Sequence, residues 1–168
     1  SQQATLLESW AAQPAPARVE LINSLQQGQI SVDGQVKTLR LNNRLRGLID
    51  TALASHQLLA ADPKLRLSAA QQLQKSAKPA QLNFLDQQLA AEKDSDVHSA
   101  LSLALANLQL VDPNPAVRLA AVRLLGETGE PLARTRLENL LQPGVETDAS
   151  VHTAAETSLV QIKRKLLI

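Results

Sequence analysis

Apolar residues recur at helical spacing through the last two thirds of the chain. A representative stretch has apolar residues at Val97, Ala100, Leu101, Ala104, Leu105 and Leu108. One apolar residue every three to four positions is typical of an amphipathic helix. Similar stripes begin at Val117 and Val151, and their alanines let neighbouring helices approach closely. The pattern therefore predicts packed helices over this part of the chain.

The starts of these helices resemble one another. Residues 62–70 and 114–122 both begin with a polar residue, a proline, a spacer and an aliphatic–arginine pair, and two further copies have His98 and His152 in place of the arginine. Asp or Asn accepts hydrogen bonds from free N–H groups at a helix start, and proline fits the first turn. Four versions of one helix start indicate an internal repeat.

Shorter apolar stripes between these starts predict partner helices at about 79–91 and 130–141. The repeating unit is then a helix, a partner helix and a second helix. It occurs twice, at about 62–111 and 112–168. Residues 62–168 are therefore predicted to form the repeats of one continuous domain.

Residues 1–61 follow a different pattern and are predicted to form an N-terminal helical cap. Helices are expected at about 6–12 and 16–27. Alternation around Asp33-Gly34 then predicts a short β-hairpin near residues 30–38. A further helix begins after Asn42 and Asn43. The predicted fold class is all-α with this hairpin.

Composition narrows the possible functions. The 168 residues include one Trp, one Phe, no Tyr and no Cys. Without cysteine there is no disulfide, zinc-finger or iron–sulfur site, and so few aromatics build no base-stacking platform. The formal net charge of +1 argues against a nucleic-acid partner, although a local basic patch stays open. Trp10 is expected to cover the end of the core and Phe84 to lie on a partner helix.

Catalytic motifs are absent from the sequence. It contains no Gly-x-Ser-x-Gly elbow and no phosphate-binding glycine loop, so no enzymatic activity and no cofactor are expected. His98 and His152 are interpreted as replacements for the repeat arginine rather than metal ligands. Gly126 and Gly129 are interpreted as turn residues. The aspartates are interpreted as helix caps: Asp62, Asp94, Asp96, Asp112 and Asp148.

The helix starts, followed by Leu-Leu-Gly-Glu-Thr-Gly-Glu-Pro at 124–131, resemble HEAT-type repeats over about 62–168. This resemblance implies an α-solenoid. It also implies that Arg66 and Arg118 are structural and pack against Asp side chains at the repeat ends. No His-Glu dipeptide is present, so the di-iron HEAT hydroxylases are not supported.

A second resemblance covers nearly the whole chain. Its parts, in order, are the hairpin at 32–36 and the segments 41–46, 58–66 and 112–121. Together they are similar to the N-terminal extracytoplasmic region of a urea ABC transporter permease, within the branched-chain amino acid type of importer. The resemblance implies a periplasmic, non-enzymatic domain that docks the periplasmic urea-binding protein or helps to assemble the permease membrane subunits.

On this resemblance the chain is membrane-proximal, because the basic end at Lys163, Arg164 and Lys165 leads towards a C-terminal permease region that is missing here. Two alternatives stay open. One is a free-standing HEAT-repeat scaffold that binds other proteins. The other is a direct binder of a small molecule such as urea.

Two groups of residues are candidates for a partner-contact surface. Asn42, Asn43 and Arg44 lie between the hairpin and a helix, where they either cap the helix or contact a partner. The second group is a possible basic strip on adjacent helices: Arg118, Arg123, Arg134 and Arg136. An acidic partner surface would fit such a strip. The alternative is a solvated face balanced by nearby glutamates.

Overall fold

A computed structural model describes residues 1–167 as helices with one short hairpin. In chain order the elements are α1 (Gln2–Ala12), α2 (Val19–Gln26), β1 (Gln29–Val32), β2 (Gln35–Thr38), α3 (Asn43–Gln57), α4 (Pro63–Ser76), α5 (Leu82–Ala91), α6 (Ser95–Gln109), α7 (Pro115–Glu127), α8 (Pro131–Leu140) and α9 (Ala149–Leu166). Short 3-10 turns, Pro16–Arg18 and Pro79–Gln81, lead into α2 and α5. The predicted all-α fold with a short hairpin is confirmed.

The chain forms two compact units, Ser1–Gln88 and Leu89–Ile168. The first unit includes α4, which the sequence pattern assigned to the repeats. The predicted division into an N-terminal cap (1–61) and repeats (62–168) refers to the repeat pattern rather than to these compact units, and it stays a prediction. Within residues 1–167 no helix is both long enough and apolar enough to cross a lipid bilayer.

The core of the first unit lies between α1, α2 and α3. Its buried members are Leu7, Ala11, Ile22, Ile49, Ala52 and Leu53. Trp10 packs against this core and is half-buried. The Arg18 guanidinium carbon lies 5.6 Å from the centre of the Trp10 ring, within the range of a cation–π contact. The only tryptophan therefore closes one edge of this core.

The core of the second unit is built mainly from α6, α7, α8 and α9. Its fully buried members include Leu103, Val122, Leu125, Leu137 and Ile162. With the other buried members of this core, such as Ala106 on α6, Ala133 and Leu140 on α8, and Val151 and Ala155 on α9, they fall on one face of each helix. Phe84, on α5 within the first unit, is buried at 8% exposure.

The hairpin is antiparallel, with Gln29 opposite Thr38 and Val32 opposite Gln35. Its two turn residues, Asp33 and Gly34, have φ angles of 52° and 76°. Positive φ at both positions matches the tight turn that favours Asp-Gly in hairpins. The Leu39 N–H donates to the Gly28 carbonyl at 2.6 Å, which closes the base of the hairpin.

Side-chain caps begin most of the helices in the way the sequence predicts. Asp62 accepts from the Lys64 N–H at 2.9 Å, and Asp148 accepts from the Ser150 and Val151 N–H groups at 2.9 and 3.1 Å. The Asp94 carboxylate likewise accepts from the N–H groups of residues 96 and 97. The predicted caps at positions 62, 94 and 148 are confirmed.

Two of the predicted aspartate caps are wrong. Asp112 lies before the helix, where its carboxylate accepts from the Asn114 N–H at 2.8 Å, and Asn114 caps α7 by accepting from the Ala116 N–H at 3.0 Å. Asp96 lies inside the first turn of α6. A carboxylate in the first turn still favours the helix through the dipole.

Arg66 and Arg118 hold the connections that precede their helices. Arg66 Nη1 donates to the carbonyls of Ala60 and Ala61 at 3.0 and 2.8 Å. Arg118 Nη1 donates to the carbonyls of Asp112 and Pro113 at 2.9 and 3.1 Å. The acceptors lie six and five residues before the arginine in both copies. The repeated arginine therefore binds the backbone that turns into its own helix.

Gly126 is not a turn residue, contrary to the sequence interpretation. It lies inside α7, which continues to Glu127, and Thr128 follows as the C-cap. A Cβ at this position would lie 2.7 Å from the Ser158 Cβ and 2.9 Å from the Gln161 Oε1. The glycine therefore serves close approach of α7 to α9. Gly129, after the helix, lies in the connection to α8 as expected.

His56 is a buried polar residue that the sequence did not single out. Its side chain is on α3, and the residue is 2% exposed. Nδ1 lies 2.7 Å from the Ala52 carbonyl, while Nε2 lies 3.1 Å from the Ala15 N–H. Nε2 therefore accepts and Nδ1–H donates, which fixes the neutral tautomer. Burial lowers the pKa of His56, and the nearby positive charge of Arg18 acts in the same direction.

We expect acid to weaken the fold through His56. Between its lowered pKa and the unfolded value of about 6.5, the unfolded chain binds a proton that the folded chain does not. The free energy of unfolding should therefore fall as pH drops below about 6.5, by up to about 1.4 kcal/mol per pH unit. Urea denaturation across this range measures the slope. His56→Gln cannot titrate and should flatten it; an unchanged slope would contradict this role.

Candidate partner-binding surface

A groove opens in the first unit between α1, α3 and the turn before α5. Its volume is about 640 Å³. We call it the α1–α3 groove and define it by its lining: Leu7, Glu8, Ala11, Asn43, Arg44, Gly47, Leu48, Thr51, Ser76, Lys78, Pro79, Ala80 and Gln81. Two of the predicted contact residues, Asn43 and Arg44, belong to this lining. The predicted group therefore includes the first two residues of the groove's α3 wall.

The third residue of that predicted group has a structural role. Asn42 precedes α3, and its side-chain oxygen accepts from the Leu45 N–H at 2.8 Å. The capping interpretation is thus correct for Asn42. Asn43 and Arg44 follow in the first turn of α3 and are exposed. The cap sets where α3 begins and so fixes both side chains at the end of the groove.

The α3 wall follows the spacing of one helix face. Asn43, Arg44, Gly47, Leu48 and Thr51 fall at successive i, i+4 positions along two neighbouring rows. Gly47 is exposed, and a Cβ at this position would meet, among residues 1–167, no atom within 4 Å apart from its chain neighbours and the backbone of its own helix. The Thr51 hydroxyl donates to the Gly47 carbonyl at 2.9 Å. The middle of the wall is therefore open backbone.

The opposite wall is held by a buried glutamine. Gln81 is 1% exposed, and its Nε2 donates to the Ser55 hydroxyl on α3 at 2.7 Å. Its Oε1 accepts from the Lys78 N–H at 2.9 Å. Residues 78–81 are thereby fixed to α3. This bond was not predicted, because the only local signal is Pro79 with a glutamine two residues later.

The four arginines of the predicted basic strip have different surroundings. Arg134 Nε lies 2.9 Å from Glu138 Oε1 on the same exposed helix face, while Arg136 is exposed on α8. Arg123 lines a second, open groove of about 810 Å³ beside Glu127 and α9. Arg118 is in a largely buried ion pair. The four arginines therefore have different local surroundings.

Arg118 and Glu146 form a two-pronged ion pair. Arg118 Nε lies 2.8 Å from Glu146 Oε2, and Nη2 lies 2.9 Å from Oε1. The side chains are 16% and 2% exposed. Hydrogen bonding between the partners lowers the pKa of Glu146 and raises that of Arg118. The carboxylate bound here is Glu146 rather than the Asp that the HEAT resemblance implies, and no pattern around Glu146 predicted it.

His98 and His152, which occupy equivalent repeat positions, lie on separate helices. His98 lies in the first turn of α6, and His152 Nδ1 lies 3.6 Å from Glu156 Oε1 one turn along α9. Among residues 1–167, no three His, Asp or Glu side chains are grouped closely enough to hold a metal ion. Neither histidine therefore belongs to a candidate metal centre in this part of the chain.

Comparison with protein-family models and with curated proteins finds no match for this chain.

Proposed function

We propose that this chain is a non-enzymatic periplasmic domain of a urea ABC transporter permease, and that it binds other proteins of the importer. The observation that carries the proposal is the order of its parts along the chain. The hairpin, the Asn-Asn-Arg helix start and the two Asp-Pro or Asn-Pro helix starts follow one another along the chain, in an order that resembles that permease region. The proposed partners are the periplasmic urea-binding protein and the permease membrane subunits.

Three features support a binding role. The α1–α3 groove offers apolar surface with charged edges, a composition common in protein contacts. Its walls are fixed by the Asn42 cap and by the bond between Gln81 and Ser55. Such a preformed surface reduces the ordering cost of association.

The basic end of α9 supports a place near the membrane. Lys163, Arg164 and Lys165 are exposed in its last turn. Cations there suit the helix dipole, and Lys165 Nζ also donates to the Glu127 carbonyl at 2.6 Å. Exposed basic residues are attracted to anionic lipid headgroups, so this end is the proposed link towards the permease.

Calorimetric titration of the chain with the purified urea-binding protein of the same importer tests the proposal. We expect saturable binding with a Kd in the micromolar range, as for transient protein contacts of moderate size. The same titration with urea alone should give no saturable heat. Saturable binding of urea would favour the small-molecule alternative, and failure of the urea-binding protein to bind would contradict docking.

A further inference from the structure

We infer that the α1–α3 groove binds an acidic amphipathic segment of a partner protein. The segment would insert an apolar side chain between α1 and α3 and place carboxylates against Arg44 and Lys78. This inference concerns the chemistry of the groove and does not depend on the transporter assignment. The cations of the groove, Arg44 and Lys78, are not those of the predicted basic strip on α7 and α8.

The interior of the groove is apolar. Leu7 and Ala11 line it from α1, Leu48 from α3, and Pro79 and Ala80 from the facing turn. These residues come from three separate segments, so the apolar surface is concave rather than a flat patch. A concave apolar surface accepts an anchor side chain and removes it from water. The anchor is therefore expected to be a large aliphatic or aromatic residue.

The charged residues of the lining favour an anionic partner. Arg44 and Lys78 are both exposed, and neither side chain has an ion-pair partner among residues 1–167. Glu8 is the one acidic residue of the same lining. Two cations against one carboxylate leave a local positive excess, which attracts carboxylates and repels a basic segment.

Gly47 gives a second indication that the groove is used. Glycine inside a helix is about 1 kcal/mol less favourable than alanine. At Gly126 a close packing contact explains the glycine, because a Cβ there would strike Ser158. Gly47 has none, since a Cβ there would meet only open space. Local rules are broken most often at functional sites. The missing side chain keeps the middle of the groove free for an occupant.

A protein segment fits this groove better than a free small molecule. The groove is only partly enclosed by its walls, whereas small-molecule sites bury most of the ligand surface. An amphipathic helix laid in an apolar groove is a recurring mode of recognition. The occupant is therefore a segment with apolar residues on one face and acidic residues beside them.

The test uses two synthetic peptides and the full chain. One peptide carries leucines at helical spacing with glutamates elsewhere; the other has lysine in place of each glutamate. Amide chemical shifts of the labelled protein report where each peptide binds. We expect the acidic peptide to shift the groove residues saturably, and to bind at least about tenfold more tightly than the basic one.

Variants separate groove binding from folding. Arg44→Glu with Lys78→Glu should weaken the acidic peptide about tenfold or more. Arg123→Glu with Arg136→Glu makes the same charge change at exposed positions on α7 and α8 and should leave binding unchanged. Gly47→Gln should raise Tm by about 2 °C and abolish binding, because the new side chain occupies the middle of the α3 wall, where the partner segment would lie. A stabilised variant that has lost binding cannot be explained by misfolding.

Three results would overturn the inference: no saturable shifts with the acidic peptide, equal affinity for both peptides, or full binding by the charge-reversed or Gly47→Gln protein. Each is distinguishable from failure of the proposed transporter role. If the acidic peptide binds the groove but the urea-binding protein does not, the groove inference stands and the transporter assignment fails.

Discussion

Gly126→Ala is expected to lower the free energy of unfolding by about 1–3 kcal/mol. Helix propensity alone predicts the opposite sign, since alanine is the better helix former. The added Cβ would lie 2.7 Å from both Cβ and Oγ of Ser158 and 2.9 Å from Gln161 Oε1. The Ser158 Cβ is fixed to the backbone of α9, so relief requires α7 and α9 to move apart. Urea denaturation measures the loss.

Gly47→Ala is the matched control, because it makes the same change inside another helix where a Cβ meets open space. This variant should gain about 1 kcal/mol. Ser158→Gly removes the Cβ that Gly126→Ala would strike, so the double variant should lose less stability than the sum of the two single variants. If alanine raised the free energy of unfolding equally at positions 47 and 126, the close approach of α7 and α9 would not contribute to stability.

Glu146→Ala is expected to lower Tm by about 5 °C or more. The change removes the carboxylate that binds Nε and Nη2 of Arg118 and also accepts from the Asp148 N–H at 2.8 Å. Arg118 would keep its two backbone acceptors but lose its counter-charge in a largely buried site. Removing one member of a buried pair leaves the other uncompensated, which is why the loss should be large.

Glu138→Ala provides the comparison for that result. Glu138 pairs with Arg134 one turn away on α8, and both side chains are well exposed. Exposed pairs contribute little, so this variant should melt close to the wild type. Similar losses in the two variants would contradict the importance of burial at Glu146.

The ion pair between Glu146 and Arg118 should also make the stability of the fold depend on pH. Its hydrogen bonds to Arg118 lower the pKa of Glu146 in the folded chain. The stabilisation is therefore present above the unfolded value of about 4.3 and is lost as pH falls through the folded pKa. His56 acts at higher pH, below about 6.5. Two separate acid-sensitive ranges are thus expected in the wild type. Glu146→Ala should reduce the lower one and leave the upper one unchanged, while Asp148 and Glu138, whose pKa values are also lowered, keep the rest of the lower range.

Local chemistry explains why much of the fold was predictable from sequence. Asp-Gly specified the hairpin turn because its two positive φ angles suit few other residue pairs. Asp62, Asp94 and Asp148 could be recognised as caps because a cap is a contact with the next few residues. The same reasoning was wrong for Asp112, because Asn114 directly precedes Pro115 and caps the helix instead.

The residues that sequence reasoning missed act over long separations. Glu146 is 28 residues from Arg118, Gln81 is 26 from Ser55 and His56 is 41 from Ala15. Nothing in the neighbouring sequence encodes such a partner. Gly126 was misread for the same reason, because its constraint comes from Ser158 on another helix. Asn43 and Arg44 follow a visible helix start, whereas Lys78 joins the same groove lining only in the folded unit.

The hairpin offers a practical way to follow this protein in solution. Seven of its eight strand residues are exposed, Ile30 being half-buried, and the sequence contains no cysteine. A single cysteine introduced at Gln35 would be the only thiol in the chain. A fluorophore or spin label attached there can report on the first unit without competing thiols and without entering its hydrophobic core.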